Sequence, residues 1–164
     1  MVSGLIPHRY AKALYKFAVD SGRSTEVYAE MQNVVKAFRA DSRLEKILSN
    51  PFVDADNKRN VLLAAAGENP GDDYRRFVTL ILEHHREEFA YLMALAYLEI
   101  YRKENKISEV RITTAVKLPD SEIEKLKKVV ENAFKDVTFE YEYAINPDII
   151  GGFIIDVDST RMDA

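Results

Sequence analysis

The sequence predicts a mainly α-helical chain that ends in a small α+β part. Up to about Asn105, apolar residues recur at the three- and four-residue spacing of helices. After that point, residues 110–112 and 137–145 alternate between apolar and polar side chains, as strands do. We therefore expect an N-terminal six-helix bundle over residues 1–105, followed by a small β-α-β-β domain over residues 106–164.

Glycine and proline divide the first part into helices. Gly22 and Gly67 each follow a helical pattern and are typical of helix ends, because glycine tolerates the left-handed backbone found there. Asn50 precedes Pro51, so it is excluded from the helical region and ends another segment. The expected helices are one from Pro7 to about Gly22, 25–40, 44–48, one capped by Asp54 or Asp56 and ending at Ala66, one carrying Tyr74 to Leu82, and 87–103.

The second part is predicted as strand, helix, strand, strand. Its helix begins at Asp120 or Ser121, and Ser121 with Glu124 has the pattern of a capping box. Gly151 and Gly152 indicate a bend or bulge entering a strand, since the lysine and hydroxyl residue of a phosphate-binding loop are missing. The expected strands are 109–117, 137–145 and 152–157.

Composition limits the class of function. The 164 residues carry a formal net charge of −4, which argues against a nucleic-acid binder because phosphate contacts need a basic surface. Cysteine is absent, which rules out disulfides and thiolate sites in these residues. No apolar run approaches the roughly 20 residues that span a bilayer, and no signal peptide is evident. We expect a soluble protein that reaches a membrane only through a partner.

Two short patterns resemble a catalytic motif and a metal-binding motif. Asp156 and Asp158 follow an apolar strand, as in haloacid-dehalogenase-type phosphatases, where the first aspartate attacks phosphorus and the second handles the proton. That family builds a parallel sheet after this motif, and only 161–164 remain here, so an ordinary strand is preferred. His84 and Glu88 have the spacing of a helical zinc pair but lack a nearby third ligand, so a polar helix end is preferred. We expect no catalytic residue, metal site or cofactor.

The first and fifth helices are apolar over more than one face, although a surface helix needs only one buried stripe. This breadth has two interpretations. The helices are central in a small bundle, or they form the walls of a groove that receives an amphipathic helix from another protein. The residues concerned are Ile6, Tyr10, Ala11, Ala13, Leu14, Tyr15, Phe17 and Ala18 in the first helix, and Tyr74, Phe77, Val78, Leu80, Ile81 and Leu82 in the fifth.

Four segments stand in a fixed order along nearly the whole chain. They are PHRYAKAL at 7–14, LSNPF at 48–52, YRKENKISEVRITTAVKL at 101–118, and IGGF at 150–153, which leads to Asp156 and Asp158. Together they resemble the delta subunits of F-type ATP synthases, whose mitochondrial relative is the oligomycin-sensitivity-conferring protein. Their order and spacing make the resemblance specific. The alternative is an unrelated helical adaptor domain that binds an amphipathic partner helix.

The resemblance implies a non-catalytic component of the peripheral stalk, or stator. In this family the N-terminal bundle holds the N-terminal helix of an alpha subunit between the first and fifth helices, and the C-terminal part joins subunit b. The link resists torque, so that proton flow drives ATP synthesis. The implied location is the cytoplasmic face of the bacterial inner membrane, reached through the complex without direct insertion and without nucleic acid.

The resemblance also assigns eight partner-binding residues and shows two departures. His84 and His85 stand where the family often has an asparagine before the position matched by Arg86, so the polar rim of the groove differs. The family continues with a further helix, so we expect a sequence truncated before it. The partner-binding residues are Tyr10, Ala13, Leu14 and Phe17 on one wall, and Phe77, Leu80, Ile81 and His84 on the other.

Overall fold

A computed structural model describes residues 4–158 and 160–163, with side chains described up to residue 158. The predicted fold class, mainly helical with a small C-terminal α+β part, is confirmed. The helices are α1 (Leu5–Asp20), α2 (Ser24–Ala40), α3 (Arg43–Ser49), α4 (Ala55–Ala66), α5 (Asp72–Glu83), a 3-10 turn (Glu87–Phe89), α6 (Ala90–Glu104) and α7 (Asp120–Ala133). The strands are β1 (Ile107–Thr114), β2 (Thr138–Ile145), β3 (Phe153–Val157) and β4 (Thr160–Asp163).

The chain divides into two compact units, Met1–Tyr101 and Arg102–Ala164. The domain boundary after residue 105 stays a prediction.

Local signals fix the helix ends of the first unit. Gly22 follows α1 with φ at 73°, and the N–H of Arg23 donates to the carbonyl of Ala18 at 2.8 Å. Asp54, rather than Asp56, caps α4, because its carboxylate accepts a 2.8 Å hydrogen bond from the N–H of Asn57. These two ends were predicted from the sequence and are confirmed.

Buried tyrosines join α2 to α6 in the core of the first unit. Tyr97 is fully buried, and its hydroxyl donates to the carbonyl of Ser24 at 2.8 Å. Tyr28 and Tyr101 stack with their ring centroids 4.0 Å apart. A buried phenol needs such a hydrogen bond, so these contacts position the two helices as well as filling space.

The second unit is a four-stranded sheet in the order β2-β1-β3-β4. β1 and β2 are parallel and therefore require a crossover, which α7 provides. β3 is antiparallel to both of its neighbours. Leu126 and Val130 of α7 pack with Val110, Ile112 and Ile155 in one core.

Three local predictions for the second unit are corrected. β1 spans Ile107–Thr114 rather than 109–117, because the hydroxyl of Thr114 donates to the carbonyl of Val116 at 2.7 Å in the bend after the strand. The capping box does not form, since α7 begins directly after Pro119 and Ser121 lies inside the first turn. The fourth strand, β4, was not predicted.

The N-terminal end of α5 lies beside a half-buried carboxylate. Oε2 of Glu30 accepts a 2.8 Å hydrogen bond from the N–H of Gly71. Burial raises the pKa of Glu30 above its ordinary value, and this outweighs the opposing effect of the Gly71 hydrogen bond. Nearby Glu26 and Asp73 raise the pKa further, while Arg75 lowers it. The folded state therefore favours protonated Glu30, and this contribution to stability is lost as pH rises through the folded-state pKa.

We expect Glu30→Gln to stabilise the protein at pH 7. The amide oxygen keeps an acceptor for Gly71, and the unfavourable charge is removed. The melting temperature should rise by about 1–2 °C at pH 7, and the gain should shrink toward pH 4. Thermal unfolding followed by circular dichroism at several pH values measures this. Glu68→Gln, in the exposed loop before α5, is the control. A lower melting temperature at pH 7, or a gain independent of pH, would contradict the account.

Candidate partner-binding surface

Helices α1 and α5 lie side by side and antiparallel. At one end, the hydroxyl of Ser21, just after α1, donates to the carboxylate of Asp73 in the first turn of α5. At the other end, Tyr10 near the start of α1 meets His84 at the end of α5, edge to face, with ring centroids 6.3 Å apart. Contacts at both ends fix the register of the pair along its length.

The eight predicted partner-binding residues come together along this pair, in the same order of burial on each helix. In each set of four, the first residue is half-buried or buried, the second exposed, the third buried and the last exposed. This order follows from the helical period, because positions i+3 and i+4 lie about 100° apart around the axis. We call these residues the α1/α5 strip: Tyr10, Ala13, Leu14, Phe17, Phe77, Leu80, Ile81 and His84.

The strip has a buried floor and exposed edges. Leu14 and Ile81 are 5% and 1% exposed and belong to the core, whereas Phe17 and Leu80 are 43% and 41% exposed. Single exposed apolar side chains are ordinary, but a continuous set on two adjacent helices is typical of an interaction site. Such a surface can hold an apolar helix face by burial alone.

Exposed charged side chains border the strip and were not predicted from the sequence. Arg9 and Lys16 on α1 lie within about 60° of Ala13 around the axis, on the solvent side. On α5, Arg76 is exposed, and its guanidinium carbon lies 6.0 Å from the centroid of the Phe17 ring. Helical periodicity could have predicted the cations, since each lies three or four residues from a strip position. Exposed carboxylates share these edges, since Asp20 lies one turn from Phe17 and Glu83 one turn from Leu80, so the border carries charges of both signs.

The two aspartates of the phosphatase-like motif lie at the end of an antiparallel strand. The carboxylate of Asp158 accepts a 2.8 Å hydrogen bond from the N–H of Glu109. Its own N–H donates to the carbonyl of Glu109 at 3.0 Å. Asp156 lies on β3 opposite Arg111 of β1. Because β3 is antiparallel to both neighbours, the parallel arrangement that the phosphatase interpretation needs is not built around this motif.

The residues at and near the histidine pair make contacts within the helical unit. His84 faces Tyr10, and Glu87 forms an ion pair with Lys58, with Oε1 and Nζ 2.8 Å apart. In the part of the chain that the structure describes, no three histidine, cysteine, aspartate or glutamate residues are grouped so as to hold a metal ion. None of the helices described has the length and apolar character needed to cross a bilayer.

Comparison with known proteins gives the family. The sequence model described as ATP synthase delta (OSCP) subunit matches residues 6–164. The chain belongs to this family. The resemblance seen in the sequence is thereby confirmed, and the alternative of an unrelated adaptor domain is not supported.

Relatives named ATP synthase subunit delta match along almost the full chain. The one from Parabacteroides distasonis is 36% identical over 161 residues, covering 98% of this chain and 89% of that protein. The one from Phocaeicola vulgatus is 33% identical over 165 residues, covering 100% and 89%. A chain in the cryo-EM structure of the Toxoplasma gondii mitochondrial ATP synthase hexamer matches with a TM-score of 0.73 and 19% identity, covering 96% of this chain and 87% of that one. At that identity the likeness shows the fold alone.

If Asp158 acts by holding β3 to β1, its removal should affect stability. Asp158 has φ at 46°, which asparagine tolerates better than alanine does. We expect Asp158→Ala to lower the free energy of unfolding by about 0.5–1.5 kcal/mol, through loss of the acceptor for Glu109. Asp158→Asn should lose less, because it keeps an acceptor. Urea denaturation measures both, and an alanine variant as stable as the parent would contradict this role.

Proposed function

We propose that the chain is a non-catalytic stator subunit of an F-type ATP synthase. In this proposal the α1/α5 strip holds the N-terminal helix of the alpha subunit, and the C-terminal unit joins subunit b. Family membership supports the assignment to the complex. The observation that carries the proposed role is the strip, a row of exposed apolar side chains above a buried floor on two adjacent helices.

The shape of the strip suits a helical partner. From Tyr10 to Phe17 it runs for two turns, or about 10 Å. An amphipathic helix presents apolar side chains at i, i+3, i+4 and i+7, so two of its turns match two turns of the strip. Each 100 Å² of apolar area buried in the contact would contribute about 2.5 kcal/mol gross. Stable binding requires the total over both partners to exceed the roughly 4–15 kcal/mol lost in association.

The charges beside the strip bear on the kind of helix that it binds. Arg9 and Lys16 lie along the α1 edge with Asp20, whereas Arg76 shares the α5 edge with Glu83. We infer that the partner helix carries acidic residues on the side of its apolar face that lies against α1. Complementary charge mainly raises the association rate and fixes the register, whereas apolar burial supplies most of the affinity.

The C-terminal unit offers a separate apolar surface for the second contact. A cavity of about 240 Å³ opens between β1, β2 and the start of α7, with Leu118, Ile123 and Ile145 in its lining. Tyr143 and Ile145 at its edge are large side chains that remain exposed. These features support placing subunit b here.

The proposed role is mechanical. A subunit that binds the catalytic head through one unit and subunit b through the other prevents the head from turning with the central shaft. Proton flow then drives ATP synthesis, and the subunit itself makes and breaks no covalent bond. It would be held at the cytoplasmic face of the bacterial inner membrane by its partners alone.

A charge placed in the strip should weaken binding of the helix. We expect Ala13→Asp or Leu80→Asp in the full chain to raise the dissociation constant for a peptide copying the alpha-subunit N-terminus at least ten-fold. That corresponds to about 1.4 kcal/mol and reflects the cost of burying a carboxylate in an apolar contact. Isothermal titration calorimetry measures the affinity.

Val19→Asp is the matched control. Val19 is 47% exposed on the same helix but points away from the strip, about 180° from the direction set by Tyr10. The Val19→Asp variant should bind the peptide with the affinity of the parent protein. Unchanged affinity in folded Ala13→Asp and Leu80→Asp would remove the assignment of the strip, whatever the control shows.

The cations beside the strip predict a salt-dependent affinity. We expect Lys16→Glu and Arg76→Glu to weaken peptide binding about three- to ten-fold at 50 mM NaCl, and the difference from the parent to shrink at 500 mM because salt screens exposed charges. Lys36→Glu on α2 is the control, since Lys36 is exposed but outside the border. Equal affinity of all variants at low salt would contradict an acidic partner helix.

A further inference from the structure

Strand β2 lies at the edge of the sheet and, among the described strands, pairs with β1 alone. In a parallel ladder, the backbone groups of alternate residues point toward the neighbouring strand, and those of the residues between them point away. The N–H of Thr138 donates to the carbonyl of Lys106 at 3.0 Å, and that of Asn146 donates to the carbonyl of Thr114 at 2.8 Å. These two bonds fix the phase, so the outward N–H and C=O groups are those of Phe139, Tyr141, Tyr143 and Ile145.

The outer edge of β2 lacks two features that commonly protect an edge strand from pairing, a proline and a bulge. Residues 138–145 contain no proline, and their register with β1 runs without a bulge. No hydrogen bond from another described segment reaches the outward backbone groups. Tyr143 and Ile145 on this strand are 46% and 56% exposed. The edge is therefore open to pairing with another extended chain.

One face of the sheet carries mainly carboxylates beside this edge. Glu140 and Glu142 of β2 lie on this face, next to Glu109 and Arg111 of β1. Ion pairs balance part of the charge, since Arg111 lies 3.0 Å from Glu142, and Arg102 lies 3.2 Å from Glu109 and 3.5 Å from Glu140. A cavity of about 430 Å³ on this face is lined by five carboxylate residues and one arginine. A strand added beside β2 would therefore meet an excess of negative charge on this side.

The other face of β2, which lies toward α7, has different chemistry. The ammonium of Lys127 lies 5.0 Å and 5.8 Å from the ring centroids of Tyr141 and Tyr143, and the hydroxyl of Tyr141 lies 3.2 Å from the carboxylate of Glu131. Lys127 would repel a second cation here, whereas an apolar side chain could pack beside Tyr143 and Ile145. Successive residues of a strand point to opposite faces, so the two faces of β2 together favour a partner with alternating residue types.

A second copy of β2 is a poor partner for this edge. In an antiparallel pair centred on residues 140–142, Glu140 and Glu142 of one copy would lie beside the same residues of the other. Like charges at such positions destabilise a strand pair. Charge complementarity therefore favours a different polypeptide, one with basic side chains on the face that carries these carboxylates.

We infer that the β2 edge binds an extended segment of a partner polypeptide in which basic residues alternate with apolar ones, so that the sheet gains one strand. The outward backbone groups would supply hydrogen bonds, and Glu140 and Glu142 would attract the basic side chains. Tyr143 and Ile145 would pack against the apolar ones. This contact needs neither a helix at the α1/α5 strip nor subunit b at the neighbouring cavity, so it stands independently of the proposed function.

A titration of the full chain with a designed peptide tests the edge. The probe is an eight-residue peptide in which lysine alternates with valine or threonine, matched to the eight residues of β2. Binding should slow hydrogen exchange at the outward amides of residues 139, 141, 143 and 145, whereas the amides of residues 140, 142 and 144, already bonded to β1, should change little. A peptide with glutamate in place of lysine should bind at least about ten-fold more weakly at low salt, because like charges would face each other.

Methylation of the peptide backbone separates strand pairing from charge attraction. In a paired strand, only the amides of alternate residues face the neighbouring strand. We therefore expect N-methylation of one set, either the lysine amides or the valine and threonine amides, to weaken binding at least about five-fold, while N-methylation of the other set is tolerated. Unweakened binding of both methylated peptides would contradict pairing at the edge.

A charge reversal on β2 locates the contact. Glu142→Lys should weaken binding of the lysine peptide at least about three-fold at low salt. Glu122→Lys makes the same change in charge at an exposed position on α7, on the other side of the sheet, and should bind the peptide with the affinity of the parent protein.

Three results would overturn the inference. They are slowed exchange without the alternating pattern, unchanged affinity in folded Glu142→Lys, and alternating protection that grows with protein concentration in the absence of peptide. The last result would assign the edge to a second copy of the chain. If Glu142→Lys does not fold, the comparison of the lysine and glutamate peptides decides.

Discussion

The antiparallel packing of α1 against α5 is the constraint on which the proposed binding surface depends. The Ser21–Asp73 hydrogen bond at one end and the Tyr10–His84 contact at the other fix the register. In that register Leu14 and Ile81 enter the core, while Ala13 and Leu80 remain outside. With a different register, the exposed apolar residues of the two helices would be scattered, and no continuous strip would exist.

In the proposed role, the same arrangement would let a small protein carry load through its core. The floor of the strip is part of the bundle core, so a helix bound there would pull on the packed interior rather than on a loop. Leu14 and Ile81 take part in both. In this proposal the exposed edges supply apolar area, and the charges beside them supply selectivity.

Much of this architecture could be predicted from the sequence, because its signals are local. Helical periodicity predicted six helices, and Gly22 and Asp54 marked two of their ends. The β1 end was missed because apolar Val116 continues the alternation past the bend that Thr114 makes. The capping box failed because α7 begins at Asp120, directly after Pro119, so that Ser121 lies inside the helix. For the strip, the family resemblance assigned the eight residues, but their exposure depends on how the two helices pack. The Lys58–Glu87 pair joins residues far apart in sequence, so no local pattern could reveal it.

The most direct test of the account uses the absence of cysteine from the sequence. Single Ala13→Cys and Leu80→Cys variants each carry one thiol, whose rate of reaction with a maleimide reports access to the strip. The account predicts fast labelling of both in the free protein and strong protection once the variant is assembled with the alpha subunit, while Val19→Cys is labelled at a similar rate in both states. Slow labelling in the free protein, or labelling unchanged by assembly, would contradict it.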